Sequence, residues 1–73
     1  MLDLKGNGNM KIEFNTDGAA FYDEYADKVM NDIYKSTEII RILKGVIDDI
    51  KFLGKNHGTI MDINGNKIGT WEM

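Results

Sequence analysis

Residue types able to do chemistry cluster in a few places along this 73-residue chain. Asp62-x-Asn64-x-Asn66 places oxygen-bearing side chains at alternate positions, as in the opening of an EF-hand calcium loop. Such a loop needs Gly at its sixth position, to bend the chain, and a bidentate Glu at its twelfth, to close the ligand shell. Lys67 and Met73 stand there instead. The spacing therefore predicts no calcium site, and no cofactor is expected anywhere. Asn64-Gly65 reads better as a hairpin turn, because Asn and Gly tolerate positive φ. His57 is the single His and the one side chain whose ordinary pKa lies near neutrality. It sits in a Gly/Asn-rich stretch with no Ser or Cys partner set by spacing, which predicts a surface loop residue. Gly6-x-Gly8 precedes no strand–helix phosphate loop, so nucleotide binding has no support.

The segment from Glu13 to Asp32 is richer. Glu13, Asp17, Asp23, Glu24, Asp27 and Asp32 face a single base, Lys28, and Phe21, Tyr22, Tyr25 and Tyr34 stand among them. The plain reading is the solvated face of an amphipathic helix with its rings in the core. The functional reading is an acidic, aromatic surface that engages a basic protein groove, because Tyr offers a large rigid contact and carboxylates steer a cationic partner. On that reading Tyr22, Asp23, Glu24, Tyr25 and Asp27 form the partner-binding surface. The bases Arg41, Lys44, Lys51, Lys55 and Lys67 form no continuous stripe, and the net charge is −3. Both facts argue against direct nucleic-acid binding.

Bulk properties narrow the classes further. The length suits one small domain near the size where a single core is marginal. With no Cys and one His, neither disulfides nor a thiolate or multi-His metal site can staple it. No apolar run is long enough to span a bilayer, and the N-terminus lacks a signal-peptide pattern. A cytoplasmic location in a bacterial host is expected. Residues 1–9 read as a flexible tail and 10–73 as the domain, with Met10 an alternative start.

The elements that must position these residues follow from periodicity. Met10-Lys11-Ile12-Glu13-Phe14 alternates apolar and charged groups, as a half-buried strand does, and Asn15-Thr16-Asp17-Gly18 ends it. Residues 19–34 carry Tyr22, Tyr25, Ala26, Val29, Met30 and Ile33 at helical spacing, with Thr16 or Asp17 as cap. Residues 38–53 carry Ile39, Leu43, Val46, Ile47, Ile50 and Leu53 as one stripe, which Gly54 ends. Gly45 inside it suggests close backbone packing. One long rod or two helices are both open; capping chemistry at Ser36-Thr37 favours a bend at 35–37. A two-residue Asn64-Gly65 loop pairs Ile63 with Asn66, Asp62 with Lys67 and Met61 with Ile68. Met61, Ile63 and Ile68 then share the buried face. Ile60 and Trp71 flank Gly69 on the other, either covering it or forming an exposed patch. The expected fold is α+β: a three-stranded antiparallel sheet packed on one or two helices, in the order strand, helix, helix, hairpin. Ile39, Leu43, Val46, Ile47 and Ile50 are its expected core, faced by Ile12, Phe14, Met61, Ile63 and Ile68. Homo-oligomerisation is expected from apolar groups hard to place in one core, namely Ile60, Trp71, Tyr22 and Tyr25.

Met10-Lys11-Ile12-Glu13-Phe14-Asn15-Thr16-Asp17-Gly18-Ala19-Ala20-Phe21, Glu38-Ile39-Ile40-Arg41-Ile42-Leu43-Lys44 and Met61-Asp62-Ile63-Asn64-Gly65-Asn66-Lys67-Ile68-Gly69-Thr70-Trp71-Glu72 resemble short proteins of bacteriophages, prophages and mobile elements of Gram-positive bacteria. Those chains run strand, helix, hairpin and end in a similar DINGN phrase. The resemblance covers most of 10–73 and implies a phage or mobile-element origin, with no activity assigned to named residues. Tyr22–Thr37 is longer than the matching linker of that group. Together these readings predict a non-enzymatic interaction protein that binds a bacterial or phage protein. Its concrete form is an inhibitor of a nucleic-acid enzyme, of the anti-restriction or anti-CRISPR kind. The alternative is a small nucleic-acid accessory factor using the sheet face and the lysines.

Overall fold

One helix, not two, follows the first strand. The computed structural model describes residues 8–73, so most of the expected tail at 1–9 lies outside the described residues. Strand β1 spans Lys11–Phe14, helix α1 Lys28–Leu53, strand β2 His57–Met61 and strand β3 Lys67–Glu72. The three strands form one antiparallel sheet in the order β1-β3-β2, so the C-terminal strand is central. The α+β class and the three-stranded sheet match the sequence reading.

Two helices are not formed, because the cap lies later than expected and the capping chemistry at 36–37 goes unused. The Asp27 carboxylate accepts from Met30 N at 2.8 Å and starts α1. Once it has started, Ser36 and Thr37 cost the helix only tenths of a kcal/mol each, about what ordinary residues differ by. A Lys28–Asp32 pair four residues apart adds a little on the surface. The helix ends where expected: Gly54 takes φ 63° and the Lys55 N–H reaches back to the Asp49 carbonyl at 3.2 Å. Gly45 does not mark close packing, since a Cβ there meets nothing within 4 Å.

Burial divides the helix differently from the single expected stripe. Ile42 and Val46 are buried with Phe21, Ile60 and Trp71, and Phe14, Ala20, Ile39, Ile50 and Ile68 pack around them. Leu43 and Ile47, expected in the core, are 38% and 57% exposed. In the sheet, Ile12, Met61 and Ile63 are exposed while Ile60 and Trp71 are almost completely buried. Of the expected inner face, Phe14 and Ile68 pack on the core, while Met61 and Ile63 near the turn point outward.

The turn differs from the expected one without changing which residues share a face. Asp62 N donates to Asn66 O at 2.9 Å and Gly65 N to Asp62 O at 3.0 Å, with Gly65 at φ 85°. This is a three-residue loop, Ile63-Asn64-Gly65, in place of the two-residue one. Met61 accordingly faces Lys67, and Ile68 bulges before Ile60 meets Gly69. The two offsets cancel, so Ile60 and Trp71 do flank Gly69 on one face, as the sequence suggested. That face turns inward because it carries Trp71, the largest apolar side chain in the hairpin. Glycine makes the burial possible. A Cβ on Gly58 would lie 2.6 Å from the Trp71 indole nitrogen, and one on Gly69 would run into Glu13 O and the Phe14 backbone. Trp71 lies across β2 because position 58 has no side chain.

Candidate functional site

The acidic aromatic segment is not helical before Asp27. Phe21 N donates to Gly18 O and Ala26 N to Asp23 O, each at 3.0 Å, giving two successive turns. Asp23 stabilises the second by accepting from Tyr25 N at 2.9 Å, the local bond that makes Asp compete with helix. Asn31, in the first turns of α1, clamps the segment: its Oδ1 accepts from Asp23 N at 2.8 Å and its Nδ2 donates to Ala26 O at 3.3 Å. Phe21, 2% exposed, plugs the segment into the core. The loop is thus held at both ends while its tip points outward.

Four of the five expected site residues come together on that tip. Tyr22, Asp23, Glu24 and Tyr25 line a shallow hollow with Asp17, Gly18 and Ala19. Tyr25 is 91% and Tyr22 57% exposed. They meet through turns and not through adjoining helix faces, which corrects the expected geometry. Asp27 does not line the hollow; its carboxylate is the helix cap. Asp23 shares its role with the turn, whereas among the described residues the carboxylates of Asp17 and Glu24 have no part in these bonds. The hollow combines negative charge with aromatic area and suits a basic or amide-bearing surface.

The sequence reading missed a second constellation. Glu38 is 4% exposed, in the helix face turned to the hairpin. Its carboxylate takes Arg41 Nε at 2.6 Å, Arg41 Nη2 at 3.0 Å and Ile63 N at 2.8 Å. Arg41 Nη2 also donates to Met61 O at 3.0 Å. Helix and turn are thereby tied through one ion pair. The Arg41 hydrogen bonds hold the Glu38 carboxyl below its ordinary value, against its burial, with help from the Ile63 N–H. The same pair raises the Arg41 guanidinium. The signal in the sequence is Glu38-x-x-Arg41, an acid three residues ahead of a base inside an apolar stripe.

Asp62 closes the account of the DINGN phrase. Its carboxylate accepts from Asn64 N and Asn66 N at 2.9 Å and from Asn66 Nδ2 at 3.2 Å. The Asn66 backbone bond leads in lowering its pKa, opposed by burial. An anion ringed by N–H donors is spent on its turn, so the expected Asp62–Lys67 cross-strand pair does not form. Among the described residues, no group of acids and His could hold a metal ion. His57 begins β2 and is exposed beside Asn56, in a strand and not in a loop. The outer sheet face mixes Lys11, Glu13 and Glu72 with Thr59 and Thr70, and Lys11 pairs with Glu13. No helix among the described residues is long and apolar enough to cross a membrane. Comparison with family models, curated proteins and solved structures finds no match.

Proposed function

We propose that this chain is a non-catalytic interaction protein whose loop 17–25 seats in a basic groove of a bacterial or phage protein. The observation that carries the reading is the hollow of Tyr22, Asp23, Glu24 and Tyr25 with Asp17, in which a tyrosine 91% exposed stands on a loop anchored by buried Phe21. An exposed ring on a braced loop binds with little ordering cost, and the surrounding carboxylates attract cationic surfaces. A groove that ordinarily holds nucleic acid has the matching charge. Together with the likeness to phage and mobile-element proteins, this favours an inhibitor of a nucleic-acid enzyme over an accessory factor that binds nucleic acid itself. The cytoplasm of a bacterial host is where such a partner works.

The test compares capture from a Gram-positive host lysate by the full chain and by two variants, Asp17→Lys/Glu24→Lys and Tyr25→Ala. The bonds made at positions 17 and 25 are backbone N–H bonds, so the substituted side chains carry none of those that hold the loop. The wild-type chain is expected to retain a nucleic-acid enzyme that duplex DNA displaces, and both variants to lose it. Identical captured proteins from all three chains would remove the loop from any binding role.

A further inference from the structure

Helix α1 carries a second apolar face, and we infer that a second copy of this chain covers it, as a parallel two-helix dimer. Ile33, Ile40 and Ile47 alternate with Val29, Ser36 and Leu43 at intervals of four and three residues. Intervals of four and three are the seam of a coiled coil, with the isoleucines at the a positions and Val29, Ser36 and Leu43 at d. β-Branched a residues favour two parallel strands where Leu stands at d, as Leu43 does here.

The seam is distinct from the core. At 100° per residue it lies roughly 140° around the helix from the Glu38, Ile42 and Val46 face that meets the sheet. Val29, Ile33, Ile40 and Ile47 are each more than half exposed among the described residues. A hollow on this face is lined by Val29, Asp32, Ile33, Ser36 and Thr37. Those are the d, g, a, d and e positions that bound the hole for a facing knob. The side chains offer on the order of 500 Å² of apolar surface per copy, at the upper end of what monomers show. With the stems of Lys44 and Lys51 beside them, the face approaches the roughly 800 Å² per partner of a stable interface.

The position of the sheet leaves the parallel arrangement free of clash. It packs on the C-terminal half of α1, off to one side of the seam. A two-fold axis along the helices puts the two sheets on opposite sides of the pair. The parallel dimer also carries two Tyr22–Tyr25 loops at the same end. It replaces the expected grounds for association, since Ile60 and Trp71 are buried within one copy.

The chain lacks cysteine, so Ser36→Cys is a clean reporter: a d-position thiol faces its own copy only in a parallel, in-register pair. Sedimentation of the wild-type chain at on the order of 100 μM is expected to give twice the monomer mass. Ser36→Cys should oxidise to a disulfide-linked dimer, and should fail to do so in denaturant. Ile40→Glu, at an exposed position, should sediment as a monomer with its helical circular dichroism retained. A wild-type monomer, a larger oligomer, a dimer that Ile40→Glu leaves intact, or a dimer in which Ser36→Cys does not cross-link would each overturn the inference.

Discussion

Removing the Glu38 carboxylate should cost this small domain a large share of its stability. Glu38→Ala deletes three hydrogen bonds, two to Arg41 and one to Ile63 N. The bond to the Ile63 amide joins a buried carboxylate to the turn and is worth about 1.5–3 kcal/mol as a charge-assisted bond. The Arg41 bonds count for less, about 0.5–1 kcal/mol, because the guanidinium is 44% exposed and can turn to water. Relief of the buried charge returns part of this. The net loss is about 2–3 kcal/mol, against a total of roughly 4–11 kcal/mol for a chain of this length. At 4–8 °C per kcal/mol for domains of this size, Tm should fall by about 10–20 °C. Thermal unfolding followed by circular dichroism, at one protein concentration, reads this directly. Arg41→Ala should cost at least as much despite the greater exposure of Arg41, because it leaves a buried carboxylate without its cation. A fall of less than about 3 °C for Glu38→Ala, or an Arg41→Ala variant that melts like wild type, would refute the tie between helix and turn.

Gly45→Ala should raise stability by about 0.5–1 kcal/mol, since a mid-helix Gly is replaced where a Cβ meets nothing; a lower melting midpoint would show that the position is packed in the assembled protein. Gly65→Val should lower stability by roughly 1–3 kcal/mol by forcing a β-branched residue to φ 85°, and an unchanged midpoint would place the turn in another conformation. Glu38 and Asp62 both have lowered pKa values in the fold, from ordinary values of 4.5 and 3.8. The unfolded chain therefore takes up protons first on acidification: their stabilisation is complete above those ordinary values and is lost as pH falls through the folded ones. Tm should drop below about pH 5 and Glu38→Gln should shallow that acid limb; an acid limb identical in the variant would show that Glu38 contributes none of it.

Much of the architecture was legible. Alternation at Lys11–Phe14, the Gly54 stop and the hairpin around Asn64-Gly65 placed β1, the helix end and the sheet. The misreadings share a cause: one dimension of periodicity cannot say what each face meets. Helix α1 has two apolar faces, and spacing alone merged Leu43 and Ile47 from the seam with Val46 from the core. The hairpin face was inverted because Trp71 packs inward over Gly58, while the loop residue added at Asp62–Asn66 is absorbed by the Ile68 bulge and leaves the faces unchanged. Tyr22 and Tyr25 fit helical spacing equally well, but Asp23 and Asn31 bond the backbone of 23–26 into turns, and only Asp27 caps. The candidate loop was found from composition. Its brace, buried Phe21, and the Glu38–Arg41 tie depend on contacts between segments distant in sequence.

The loop's role is tested most directly by the association rate of a captured partner with the full chain and with Asp17→Lys/Glu24→Lys, at low and high salt. The account predicts that the variant associates at least about tenfold more slowly at low salt, that the difference shrinks as salt rises, and that its melting midpoint stays with the wild type. Equal rates and equal salt dependence for the two chains would contradict it and leave residues 17–25 as a solvated turn.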